Sequence, residues 1–500
     1  MDAFSSNQIF FIFREFVWPV IVGTSVIWAP MLLLWAGGSW WLEYVRKLKI
    51  SEAKFAMLEI KIPKEVYKSP AAVEVILNAL HGETKRPLFS PGITTEWIKL
   101  FTDFGKFYSA LWLGVWPLWW SMEIVSIEGN IYFFIRCEPK NAEMIENMIY
   151  AQFPQAEITR TDDYTKYVPP FKSDQGWELR GCEYKLKETF EVKDKNENKV
   201  KHAIDALPLK TYVDYGLHDS FNLEEEQKID PLVPLLQVLG SLGVGEQAWI
   251  QIVVQGSWAH FKNPNPEDAA KKPLVAWTDV GKYWIDEVVL KPWRGMIVKP
   301  QKKKDEIKDK DTGKVVVEAQ DEIKAVYDTG MKNVPEREKP RIEATERKLT
   351  KPGYDTGIRV VYIARKESFK KDKLGEIKNA FKQFNAPNLN SLEAINGTDD
   401  GFDYPWQDYK DMKKKLNREK MFKRYVKREY FYPPEMGNTV AIKEFVDKPL
   451  VKGTIKSPET SVFNTEELAT LFHFPGTVAK TSGIGRIEAQ KAEPPANLPI

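Results

Sequence analysis

The sequence predicts an α+β protein: an N-terminal transmembrane helix followed by two ferredoxin-like (βαββαβ-type) α+β sandwich domains, the second elaborated by a charged helical insertion. Three observations predict it. The stretch from Phe16 to Leu42 carries no ionisable side chain. Residues 55–161 read in the order strand, helix, strand, strand, helix, strand, which is the split βαβ pattern. A weaker version of that order recurs after residue 176.

The apolar stretch comes first in the chain. It has 27 residues, Phe16 to Leu42, and as a helix would run roughly 40 Å. A bilayer core of roughly 30 Å needs about 20 such residues. Trp18, Trp40, Trp41 and Tyr44 suit the two interfacial belts. A signal peptide fits less well, because the run is too long and ends in aromatics rather than a small-residue cleavage site. Pro30 leaves a re-entrant hairpin as the alternative. Arg46, Lys47, Lys49 and Lys54 follow the run and only Arg14 precedes it. The positive-inside rule then gives a single-pass protein of the inner (cytoplasmic) membrane with its body in the cytoplasm. The expected divisions are a membrane anchor over 1–54, a first domain over 55–165, a second over 166–460, and a docking helix with a proline-rich linker over 461–500.

In the first domain, FAMLEIKI (55–62) alternates as a strand does. Ser69 and Pro70 supply an N-cap and a first-turn proline. The helix that follows places Val73, Ile76, Leu77 and Leu80 on one face and stops at Gly82. SALWLGVWPLWW (109–120) is too short to span and suits sheet burial or interfacial contact. MEIVSI (122–127) and IYFFIRC (131–137) form a hairpin around Glu128-Gly129-Asn130. A helix over 141–153 and a strand over 156–161 complete the unit.

In the second domain, strands are expected at 177–187, 248–255, 357–365 and near 439–446. Helices are expected from Asp230 to Leu242 and around Gly375–Phe384. Residues 300–350, about half charged, read as a solvated helical arm or a partly disordered loop.

The net charge of +2 gives no bias toward an anionic or cationic partner. The two cysteines, Cys137 and Cys182, fall in expected strands and read as apolar filler. Five scattered histidines give no metal-ligand spacing. A phosphate loop needs Gly-x-x-x-x-Gly-Lys-Ser/Thr, but Phe107, Tyr283 and Val315 follow the three Gly-Lys pairs. GSLGVGE (240–246) follows a helix and precedes a strand, the reverse of the required order, so it reads as a glycine-capped connection. Asp162-Asp163 and Asp399-Asp400 read as solvated turn residues. No catalytic motif, metal or cofactor is expected.

One constellation suggests binding. From Lys410 to Arg428 the chain carries ten basic residues against Asp411 and Glu419, with Tyr404, Trp406, Tyr409, Phe422, Tyr425 and Tyr430 interleaved or adjacent. Basic groups neutralise phosphates while aromatics stack on bases. Lys413, Lys414, Lys415, Arg418, Lys420, Lys423, Arg424, Lys427 and Arg428 are therefore the candidate contacts to nucleic acid or anionic lipid. The competing account is a basic helix packed on the domain with its charges in water.

Six stretches resemble one family: residues 58–82, 121–137, 145–158, 245–255 (GEQAWIQIVVQ), 357–369 (GIRVVYIARKESF) and 463–476 (FNTEELATLFHFPG). The family comprises the membrane-anchored N-terminal regions of conjugation-type (type IV secretion) ATPases of candidate-phylum bacteria. The stretches span nearly the whole chain in the same order, and none is catalytic. The resemblance implies a non-catalytic adaptor that assembles and tethers a motor domain of HerA/FtsK type at the cytoplasmic face, the motor being absent from these residues. It implies as partners a lipid bilayer, an ATPase motor domain or subunit, other copies of the chain, and DNA. The element resembling EPPANLP (493–499) commonly leads into that motor. Asn464 and Glu467 form a capping box at the start of a helix over 464–473. Glu467, Leu468, Leu471 and Phe472 on that helix are then the expected motor-docking residues. A free-standing binding module acting through 410–428 is the alternative.

Overall fold

The computed structural model describes residues 52–63, 68–81, 119–168, 176–193, 199–219, 229–257, 260–269, 271–291, 334–400, 411–431 and 458–475, with a few isolated positions besides. The chain forms two compact units. One combines 1–53, 87–117 and 431–452, and nearly all of it lies outside the described residues. The other contains all the elements below.

The expected membrane helix is corrected. Among the described residues no helix is long and apolar enough to cross a membrane. The longest, Met412–Lys427, has 16 residues and is strongly charged; at 1.5 Å per residue it would fall short of a bilayer core. Most of 16–42 lies outside the described residues. The single-pass placement in the inner membrane, with the body in the cytoplasm, falls with that helix.

The main sheet is antiparallel throughout. In chain order its strands are β1 (Ala56–Lys61), β2 (Trp120–Ile127), β3 (Asn130–Cys137), β4 (Glu157–Thr161), β5 (Trp177–Leu186), β8 (Glu246–Gly256), β11 (Gly353–Arg365), β12 (Leu392–Ile395) and β13 (Ser461–Asn464). Across the sheet the order is β12-β5-β11-β8-β2-β3-β1-β4, with β13 on β11. Strands β4-β1-β3-β2 have the order that a βαββαβ chain gives. Strands β12-β5-β11-β8 repeat it with the second set of elements. The two sets are not separate sandwiches. Their second strands pair directly, from Trp120↔Val254 to Ile127↔Gln247, and fuse them into one sheet about a local two-fold.

Helices α1 (Ala71–His81), α2 (Pro139–Gln152), α3 (Val233–Gly240) and α6 (Lys373–Phe381) supply one shared core. Strand alternation selects which side chains meet them: Met122 and Ile124 of β2, Ile250 and Ile252 of β8, Ile358 and Val360 of β11. The intervening residues face the other side, where α7 (Met412–Lys427) lies with Met421, Phe422 and Tyr425 against Trp249, Val125 and Val361. Both faces are covered, which is why β8 and β11 are buried almost throughout rather than on alternate residues.

Several local features follow from sequence. The β2–β3 turn is two residues, Glu128 and Gly129, with φ of 53° and 84°; positive φ at both positions is the hairpin geometry that matches strand twist. A Cβ on Gly129 would come within 2.9 Å of the Leu242 carbonyl oxygen, so glycine is needed there for space as well. Cys137 and Cys182 are free and buried. The strand expected near 439–446 lies outside the described residues, and β12 closes the second half instead. Residues 109–118 and the tail after Phe474-Pro475 also lie outside the described residues.

A third cluster sits on the long β5–β8 and β8–β11 connections. The hairpin β6 (Thr189–Lys193) and β7 (Lys199–Ala203), the short pair β9 (Phe261–Lys262) and β10 (Leu274–Val275), helix α4 (Trp277–Tyr283) running into a π-turn (Trp284–Leu290), and α5 (Lys339–Leu349) enclose Phe190, Leu207, Trp284, Ile285 and Ile342. The described end of the charged insertion is therefore packed helix, not solvated arm: Ile342 is buried and Lys348 points inward.

Candidate functional site

The strongest electrostatic feature lies beneath α7. One register row crosses the sheet through Glu123, Gln251, Arg359 and Glu183, each directly opposite the next on β2, β8, β11 and β5. All four are fully buried. Isolated charges there would cost several kcal/mol each, so the row survives only because every member is paired.

Arg428 closes the row from above. It follows α7 in the left-handed region, φ 53° and ψ 45°, with its N–H on the Tyr425 carbonyl. A non-glycine residue there costs about 1 kcal/mol. That conformation aims the guanidinium down onto the sheet. Its Nε and Nη2 donate to the two oxygens of Glu123 at 3.0 Å each. Nη1 and Nη2 donate to Asp163 at 2.5 and 3.1 Å, and Nη1 also to the Val426 carbonyl at 2.9 Å. All five N–H groups of the arginine are used.

Glu123 is equally occupied. Ser121 Oγ and Tyr164 OH donate to it at 2.6 Å each, and Gln251 Nε2 at 3.2 Å. Burial alone would push its carboxyl up. The Arg428 guanidinium and the hydroxyl donors hold it below the ordinary carboxylate value. Asp163 behaves likewise, with burial opposed by Arg428 and Thr165. Burial and the neighbouring Glu123 push the Tyr164 phenol well up, so it stays a donor. Gln251 links the halves: its amide donates to Glu123 and its Oε1 accepts from Arg359 Nη1 at 3.3 Å. Arg359 Nη2 donates to Glu183 at 2.6 Å, and its guanidinium stands 4.4 Å from the Tyr430 ring centroid.

This arrangement divides the nine candidate cations. Arg424 and Arg428 are buried against the sheet. Arg418 forks between Glu178 at 2.7 Å and Asp399 at 3.2 Å. Lys414 pairs with Asp411, and Lys413 is half-buried. Lys415, Lys420, Lys423 and Lys427 are exposed, Lys420 donating to the Ile455 carbonyl at 2.9 Å. At about 100° per residue these four fall within one outward arc of α7. Of the paired acids, Asp162 and Asp400 are exposed as expected, but Asp163 and Asp399 are not solvated turn residues: Asp163 holds Arg428, and Asp399 holds Arg180 at 2.9 Å as well as Arg418.

The structure also places the expected docking residues. Glu467, Leu468, Leu471 and Phe472 belong to α8 (Thr465–Leu471) and its end, and all are buried within this unit. The capping box is present: Asn464 accepts from the Glu467 N–H at 2.8 Å, and Glu467 accepts from the Asn464 N–H at 2.9 Å. Glu467 also meets Lys348 Nζ at 2.8 Å, both side chains fully buried. Leu468 and Phe472 are in the core shared with α1. Their side chains are buried within this unit rather than presented on its surface.

A cleft of about 410 Å³ opens between the start of α6 and the turn at 397–400, lined by Arg180, Lys371, Glu376, Lys378, Asp399 and Asp400 among others. Arg180 bridges it internally, to Asp399 and to the Lys371 carbonyl at 3.1 Å. Among the described residues no group of three or more His, Cys, Asp or Glu side chains is placed to hold a metal. The glycine-rich 240–246 loop joins α3 to β8, and Glu246 turns back to accept the Gly243 N–H at 2.7 Å.

Part of the buried row carries a signal in the sequence. Glu123, Gln251 and Arg359 are polar residues within the mostly apolar runs MEIVSI, AWIQIVVQ and GIRVVYIA, and Glu183 lies in the more polar β5. Such residues require partners, but the sequence does not say which. Comparison with family models finds no match for this chain, and comparison with curated proteins finds none either.

Proposed function

We propose that the chain is a non-catalytic adaptor body that positions a P-loop motor, domain or subunit, of HerA/FtsK type. The observation that supports this is the seating of the segment 461–474. It enters as β13 beside β11, continues as α8 into the core, and is fixed by the fully buried Lys348–Glu467 pair. The chain that continues past Pro475 therefore departs from a fixed point on the sheet. The resembling stretches of the sequence run in the same order as in such adaptors, and this seated segment is the last of them. Self-association of the body, as expected of a motor platform, belongs to the same proposal.

Sequencing the genomic DNA past the codon for Ile500 tests it. An open frame running into Gly-x-x-x-x-Gly-Lys-Ser/Thr, or an adjacent gene carrying that motif, is the expected result. A stop codon with no such gene nearby overturns it.

A second function is favoured by one observation, the outward arc of Lys415, Lys420, Lys423 and Lys427. It is a polyanion-binding face for DNA. Anisotropy titration of a labelled single strand is expected to show affinity that falls steeply with salt. Affinity that is absent, or that survives charge reversal of those lysines, overturns it.

A further inference from the structure

His473 ends the seated segment and is fully buried. Its Nδ1 faces the Ala469 carbonyl oxygen at 2.9 Å, and its Nε2 faces both oxygens of Asp230 at 3.1 Å. Both ring nitrogens therefore look at acceptors. A neutral imidazole has one N–H and one lone pair. It can satisfy only one of these contacts and sets a lone pair against an oxygen at the other. Only the imidazolium donates to both.

We propose that β13 with α8 is a proton-held latch: its C-terminal end is closed on the Asp230 segment while His473 carries both ring protons, and opens when one is lost. The device stands independently of any motor.

The surroundings point the same way. Asp230 is the charged side chain on the ring, and it also accepts the Leu232 N–H at 2.8 Å, which fixes it to the start of α3. Burial would push the imidazole down, but Asp230 and the α8 carbonyls raise it above its ordinary value. Asp230 is correspondingly lowered, burial being outweighed by His473. At the other end of the segment, Asp205 accepts the Val462 N–H at 2.7 Å, and burial pushes it up to about 6. Burial also raises Glu467, and raises Asp355 well up. Lys348 faces Glu467, and His260 stands 3.7 Å from Asp355. Glu466 faces Arg347 and Lys351, and Glu74 faces Lys351 and the Tyr212 hydroxyl. The sign is consistent: groups whose folded pKa is raised stabilise the closed segment at low pH and lose that contribution as pH rises.

The test is hydrogen–deuterium exchange of the full chain between about pH 5 and about pH 9, corrected for intrinsic rates. Peptides covering 468–475 are expected to lose protection by ~10-fold or more as pH rises, while β8 peptides keep theirs. In Asp230→Asn, a neutral imidazole can accept from the amide and still donate to Ala469. That variant is expected to flatten the profile at 468–475. A flat wild-type profile overturns the latch, as does loss of protection in step with β8. An unchanged profile in Asp230→Asn overturns the assignment to this pair. Should that variant fail to fold, the two wild-type outcomes still decide the matter.

Discussion

Arg428 and Glu123, 305 residues apart in sequence, meet as a buried fork in which each carboxylate oxygen takes one N–H at 3.0 Å. The pair ties the end of α7 to β2, the strand of the first half that pairs with the second half. Through Gln251 it continues to Arg359 and Glu183 of the second half. Removing one partner leaves the other buried and unpaired, which costs about 3–5 kcal/mol. Arg428→Met is therefore expected to lower the unfolding free energy by about that amount in urea titrations. Arg428→Lys is expected to recover only part of the loss, because an ammonium offers three donors where five are used.

Acid should act through the same fork. Burial raises Glu123 and Asp163, but Arg428 and the hydroxyl donors hold both below their ordinary values. A depressed carboxylate contributes stability above its unfolded pKa and loses it as pH falls through the folded one. Stability is expected to decline below about pH 4. Glu123→Gln is expected to be less stable at neutral pH and to show a shallower acid decline, read from thermal midpoints across pH.

Close packing gives a sharper case at Gly357. A Cβ there would lie 2.2 Å from the Tyr430 ring, whose hydroxyl is fixed on the Ile358 carbonyl at 2.7 Å. Gly357→Ala is expected to cost about 1–3 kcal/mol by overpacking. In a Tyr430→Ala background the same change should cost less than about 0.5 kcal/mol, a coupling that chemical unfolding of the four variants measures.

The two sides of α7 should separate cleanly. Lys423→Glu with Lys427→Glu reverses exposed charges and is expected to change stability by less than about 0.5 kcal/mol. Arg424→Glu places an acid beside Glu183, on the inward side, and is expected to destabilise strongly. Any salt-sensitive DNA affinity should disappear in the lysine double variant while its thermal midpoint is kept.

Much of the secondary structure was legible because its signals are local. The expected hairpin of 122–127 and 131–137 is found as 120–127 and 130–137, and the alternation in 55–62 is strand β1. The helix from Ser69-Pro70 to Gly82 is found over 71–81 with the expected apolar face. The joining of β2 to β8 was not legible, because edge-to-edge pairing leaves no pattern in either strand beyond apolar residues on both faces. The fate of the basic run was half legible: 3.6-residue spacing shows that a helix has two sides, but not that Asp163 and Glu123 wait beneath one of them. For α8, the capping box and the helix were legible, but the core that buries its apolar side chains was not. Leu468 and Phe472 meet the core shared with α1, hundreds of residues earlier in the chain. The apolar stretch at 16–42 satisfied hydropathy, yet among the described residues no helix meets the length and apolarity of a span.

A double-mutant cycle on Glu123→Gln and Arg428→Met tests most directly the claim that α7 turns its arginines inward to bind the fused sheet together. Unfolding free energies of the wild type, both single variants and the double variant are required. The predicted coupling is about 2–3 kcal/mol, with the double variant more stable than the sum of the single losses allows. Losses that add within about 0.5 kcal/mol would contradict the claim and return Arg428 to the surface cations of the helix.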